Sequence, residues 1–199
     1  MGVSVHYRGQ LEQPFDPGKF ESELVRIARA LGAEARIPTA GPFYDRQVRG
    51  AIVLVGQNVE PASLLVSAEG WLVPISDAEE AERTSLTEAP WVSVKTQFGP
   101  VEAHVALIDL LAEIQRRWAP SLCVHDEGEY WGTRSLPLLN AKRAETNEAL
   151  ALLSAELEED AVLRPGERED PVAIEKCVRH AAAQVQKQLW RRSKRDKLH

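Results

Sequence analysis

The sequence has little cysteine, no long apolar run and none of the familiar catalytic signatures. Its two cysteines, Cys123 and Cys177, form no CxxC pair among 199 residues. A disulfide scaffold and a paired-cysteine zinc site are therefore excluded, and two buried thiols in a reducing compartment are expected, with a disulfide as the alternative. The longest purely aliphatic run, Ala51–Val55, has the length of a strand and falls far short of the ~18 residues of a membrane span. The opening Met-Gly-Val-Ser-Val-His-Tyr-Arg has no apolar leader core and no small-residue cleavage site. Gly2 lacks the Ser or Thr that an acyl-transfer signal needs at position 6, which is His6. These absences predict a cytoplasmic protein with no membrane span.

Also missing are the GxxxxGK[ST] phosphate loop, GxGxxG, HExxH, the GxSxG elbow and the EF-hand loop. Nucleotide-dependent and common hydrolase chemistries lose their simplest support. What remains is ordinary globular composition, 44% hydrophobic and 27% charged, with a formal charge of −6. Such a chain can bury a core, which disfavours wholesale disorder.

Apolar periodicity predicts the elements. Residues 3–8 alternate and read as a strand. Asp16-Pro17 is an N-cap followed by proline at the first helical position, and Phe20, Leu24, Ile27 and Leu31 mark one helical face. Short strands are expected at 33–37, 51–55, 63–67 and 70–75, with a turn at Ala68-Glu69-Gly70, and another at 91–98. Residues 38–49 read as loop, and the acidic stretch 76–90 as a short helix or a loop. Gly99-Pro100 opens a second helix that Pro120 ends, and 121–125 reads as a strand. Val3-Ser4-Val5-His6 and Val92-Ser93-Val94-Lys95 echo each other, each followed by a helix and a short strand. Two β-α-β units around a meander predict an α+β fold: a two-layer sandwich of a mostly antiparallel sheet and two long helices.

The character changes after Trp131. Residues 132–139 read as a linker or docking segment, Asn140 as the cap of a third long helix, and Asp170-Pro171 as the start of a fourth. The expected division is an α+β domain at 1–135 and a helical extension with a basic tail at 136–199. The helical pair is expected to pack on the sheet domain as a hairpin or to project as an arm. Ile174, Val178, Val185 and Leu189 form its candidate stripe for a protein partner or self-association.

The densest polar segment is Cys123 to Trp131. His125, Asp126 and Glu127 are candidate metal ligands, and Lys95, His104, Asp126 and Glu127 candidate catalytic groups in an enzyme. No cofactor is firmly implied; a divalent metal is the option. If the strand 91–98 pairs with 121–125, Lys95 approaches Asp126 or Glu127. His6 joins such a site if the two units set their first strands side by side. Ordinary structural roles for all of these residues are the competing reading.

Residues 187–199 hold six Lys/Arg and one Asp, net +5, so residues 1–186 net −11. Nucleic-acid or anion binding is thereby confined to the tail, through Arg191, Arg192, Lys194 and Arg195. A solvated tail, or one folded on the acidic body, competes with that role.

Met1 to Gly9, Lys95-Thr-Gln-Phe98 followed by His104, and Asp126-Glu127-Gly-Glu-Tyr130-Trp131 resemble stretches of an uncharacterised family of small bacterial proteins. The resemblance covers residues 1–131, implies a shared fold unit and supplies no mechanism. The expected function is a non-catalytic binding or protein-interaction module. A metal-dependent hydrolase or nuclease is the alternative, and nucleic-acid binding through the basic tail the third reading.

Overall fold

A computed structural model describes residues 2–38, 48–76, 89–159 and 171–196, apart from the side chains of 158, 159, 171–173 and 191–196. The chain divides into two compact units, Gly2–Lys142 and Arg143–His199. Loop and acidic-helix expectations over 39–47 and 77–88 lie outside the described residues, as does the polar break at 160–170.

In the first unit, β1 (Ser4–Arg8) leads to α1 (Pro17–Ala30) and β2 (Glu34–Arg36). The meander β3 (Arg49–Leu54), β4 (Ala62–Val66) and β5 (Leu72–Val73) follows. Then come β6 (Val92–Lys95), α2 (Val101–Arg117) and β7 (Cys123–Asp126). This is the expected α+β fold, and every described strand pair is antiparallel. The strands form two sheets, ordered β6-β1-β7 and β2-β3-β4-β5. Residues just past β1 tie the two together: Leu11 N–H donates to the Gly70 carbonyl at 2.9 Å, and Leu72 N–H to the Gly9 carbonyl at 3.0 Å.

Local chemistry accounts for the helices. Asp16 caps α1 through its carboxylate, which accepts from Lys19 N–H at 3.1 Å, and Pro17 fits the first turn. Phe20, Leu24, Ile27 and Ala28 turn inward. From α2, Leu107, Ile108, Leu111 and Ile114 join them in a single core with Val5, Tyr7, Val92 and Val94. Burying a large apolar side chain contributes about 1.5–3 kcal/mol, so this shared layer dominates the stability of the unit.

Tyr7 is the polar tie across that core. Its phenol donates to the Ser63 carbonyl at 2.6 Å, linking β1 to β4. Burial pushes its pKa well above the ordinary tyrosine value, so it remains an O–H donor. Tyr7→Phe is expected to lower stability by about 1–3 kcal/mol, because a buried carbonyl loses its donor. Thermal unfolding compared with wild type checks this.

The stretch 132–139 is not a linker. Tyr130–Thr133 forms the short α3, and α4 spans Leu136–Glu159. Ser135 explains the early start: its carbonyl accepts from Leu139 N–H and its hydroxyl from Leu138 N–H. Asn140 therefore sits inside the helix and does not cap it. In the second unit α5 opens at Pro171 and runs to Asp196, and among the described residues Ala149 of α4 and Ala181 and Val185 of α5 are buried. Gln188 of α5 donates to the Glu156 carboxylate of α4. Both cysteines are free, and Cys123 is exposed rather than buried because it lies on the outer face of an edge strand.

Candidate functional site

The register of β6-β1-β7 decides which candidate residues meet. β1 lies between the other two, so β6 and β7 do not pair. Ser4 opposes Lys95, and Val5 opposes Asp126. Directly paired residues share a face and consecutive residues alternate. Lys95 therefore belongs to the outer face with Ser4, and Asp126 to the inner face with Val5. The expected approach of Lys95 to Asp126 does not occur. His125 and Asp126 are likewise split between faces, because β7 continues through Asp126. Among the described residues no group of three or more His, Cys, Asp or Glu side chains is placed to hold a metal ion.

On the inner face the structure assembles a buried chain of polar groups. His104, in the first turns of α2, is fully buried, and its Nε2 lies 3.2 Å from Asp126 Oδ1. That contact is short but poorly aligned, leaving Nε2 without a proper hydrogen bond. The other ring nitrogen, Nδ1, is 2.7 Å from Thr96 Oγ1, whose hydroxyl donates to the Val3 carbonyl at 3.1 Å. Both ring nitrogens thus face oxygen atoms, Nδ1 the Thr96 hydroxyl and Nε2 the Asp126 carboxylate.

Asp126 also organises the turn that follows it. Oδ1 accepts from Gly128 N–H at 2.7 Å, and Oδ2 from Trp131 N–H at 2.8 Å. Glu129 is held there in the left-handed region at φ 59°. Burial by itself would push the Asp126 carboxyl up. The adjacent His104 ring, with the two N–H donors, outweighs burial, and the carboxyl titrates below its ordinary value. Gly128 permits the close approach: a Cβ there would sit 2.6 Å from Leu139 Cδ1 and 3.1 Å from His104 Cε1. Leu139 of α4 is fully buried and closes this end of the site. Hydroxyl, imidazole and carboxylate stand in the order of a nucleophilic relay, yet they are sealed from solvent. Their geometry makes them a polar tie between β6, α2 and β7.

The outer face carries a different set. His6 opposes His125 in register, and their rings lie 5.9 Å apart at 27°. Glu127 Oε2 accepts from Ser4 N–H at 2.8 Å, and Oε1 lies 3.9 Å from His6 Nε2. Arg8 packs over Trp91 at 4.8 Å. The expectation that His6 enters a site when the first strands of the two units adjoin concerned this juxtaposition, and β1 and β6 are indeed neighbours. Its partners are His125 and Glu127, with Asp126 on the other face.

A third feature carried no sequence signal. Between α1 and α2 runs a groove of two cavities, about 410 and 270 Å³, that share Leu31 and Asp109. Its floor is small and apolar: Ile27, Ala30, Ala106 and Ala112, with Val105 and Leu136 toward the start of α2. Charges of both signs edge it, Arg26, Glu113 and Arg117 at one end and Glu102 with Asp109 at the other. Four of them are held by ion pairs, Arg26 with Glu23 at 2.8 Å. Arg117 bridges Glu113 at 2.6 Å and Glu23 at 3.1 Å, and Asp109 pairs with Arg134 at 2.6 Å. Leu136 is 46% exposed at the open end.

On α5, Ile174 and Val178 are exposed, Leu189 is half-buried and Val185 is buried, so Val185 is not available to a partner. The side chains of Arg191, Arg192, Lys194 and Arg195 lie outside the described residues. No helix among the described residues is long and apolar enough to cross a membrane. Compared with known proteins, the chain matches no family model, no curated protein and no solved structure. The resemblance over residues 1–131 therefore carries no family assignment.

Proposed function

We propose that the protein is a non-catalytic interaction module that seats an amphipathic helix of another protein in the groove between α1 and α2. The observation that carries this reading is the groove itself, apolar along its floor and charged along both rims. A trough between two helices is a place that a third helix can fill. Alanines at Ala30, Ala106 and Ala112 let a partner backbone approach to the 8–10 Å typical of packed helices. A fitting partner presents Leu- or Met-sized side chains at i, i+3/i+4 and i+7 toward Ile27, Leu31 and Val105. Its basic groups meet Glu102 and Asp109, and its acidic groups meet Arg26 and Arg117. The exposed rim pairs contribute little to stability and serve registration and selectivity. Against a hydrolase stands the placement of Lys95 on the outer face of the sheet, while His104 and Asp126 are buried on the inner face.

Ala112→Arg fills the trough with a long charged side chain at a half-exposed helix position, where arginine is a good helix former. Used as bait beside wild type and Ser93→Arg, a control on the outer sheet face, it is expected to lose a protein that the other two retain. Retention of the same proteins by all three baits contradicts the groove.

A further inference from the structure

The outer sheet face carries a feature that neither the fold nor the groove uses. We propose that His6 and His125 together bind one borderline divalent cation such as Zn²⁺ or Ni²⁺, as a two-imidazole surface site completed by water. The distance between the rings is the first argument. Two imidazoles ligating one ion at about 2.1 Å place their ring centroids about 4.5 Å apart at a right angle and about 6.4 Å apart when opposed. The observed 5.9 Å falls inside that range, so rotation of the two nearly parallel rings about their side-chain bonds, without movement of either strand, is what a shared ion requires.

Backbone placement is the second argument. The two histidines face each other in register on adjacent strands, so the sheet itself brings them together before any ion arrives. The third is Glu127. Ser4 N–H fixes one of its oxygens, and the other lies 3.9 Å from His6 Nε2. At 3.9 Å this carboxylate is beyond hydrogen-bond distance, and it adds negative charge beside the ring pair that favours a cation there. With two nitrogen ligands and no carboxylate directed at the ion, the site selects Zn²⁺, Ni²⁺ or Cu²⁺ over Mg²⁺ or Ca²⁺. It differs from a His125-Asp126-Glu127 site, which the alternation of β7 forbids.

The test is titration of the full chain with ZnCl₂, NiCl₂ and MgCl₂, by calorimetry and by long-range ¹⁵N–¹H spectra of the histidine rings. One Zn²⁺ or Ni²⁺ per chain is expected, with the His6 and His125 ring nitrogens shifting together and Mg²⁺ silent. His6→Gln and His125→Gln should each give a flat titration while unfolding at the wild-type temperature. Glu127→Gln should weaken binding without removing it. Absence of saturable binding overturns the proposal. So do shifts confined to His180 or His199, or full affinity in His6→Gln or in His125→Gln. Should one glutamine variant unfold, the other alone decides, since each removes half the ligand set.

Discussion

Asp126→Ala is expected to lower the unfolding free energy by about 3–5 kcal/mol, the range for breaking a buried pair by removing one partner. The substitution strands the His104 ring, which is fully buried, and removes the acceptor of two backbone N–H groups. It also releases the clamp that holds Glu129 at φ 59°. Urea denaturation measures the change, and a loss under about 1 kcal/mol would mean that the tie is not structural. The same carboxylate sets a pH dependence. Its folded-state pKa is depressed, so its stabilisation is fully present above the ordinary aspartate value of about 3.9. It is lost as the pH falls through the lower folded value. The stability gap between wild type and Asp126→Asn should therefore be constant from neutral pH down to about 5 and narrow below about 4. A gap that widens in acid would reverse the sign of this account.

Gly50→Ala is expected to lower stability by at least about 2–3 kcal/mol, from left-handed backbone strain together with a steric clash. Gly50 has φ +111°, and a Cβ there would lie 2.1 Å from the Leu64 carbonyl oxygen. That oxygen belongs to β4, which pairs with β3 at Gly50 and Leu65. Relief requires the central pair of the four-stranded sheet to separate, and β4 is buried along its whole length. Differential scanning calorimetry would show the shift. An unchanged melting temperature would mean that β3 can rotate out of this conformation freely.

Much of the fold was legible because local signals and the global fold agree. Asp16-Pro17 and the Phe20-Leu24-Ile27 spacing specify α1 with no tertiary information. The Val-Ser-Val echo marked two strands that become antiparallel neighbours, Val5 opposite Val94. What sequence could not convey was which strand lies between which. Strand order arises from long-range burial, and placing β1 centrally separated Lys95 from Asp126 while bringing His6 to His125. Alternation along 125–126 already showed that two faces were involved, though not which residues shared them. Of the tie from Thr96 to Asp126, the sequence grouped His104 with Asp126 but missed Thr96, since its members come from three segments and meet only in the packed core. The early start of α4 was readable in principle from Ser135 followed by Pro137, a cap and an N-terminal proline hidden by the glycine and arginine before them. The groove had no signature, since partly exposed alanines on two helices look like ordinary surface.

The most direct test of the interaction-module reading is hydrogen exchange on the full chain, free and with the protein that the Ala112→Arg bait fails to retain. Slowed exchange confined to residues 26–31 and 101–113, with α5 and the outer sheet face unchanged, is the result the groove predicts. Protection of β1 and β7, or of α5 alone, with α1 and α2 unaltered, would contradict it.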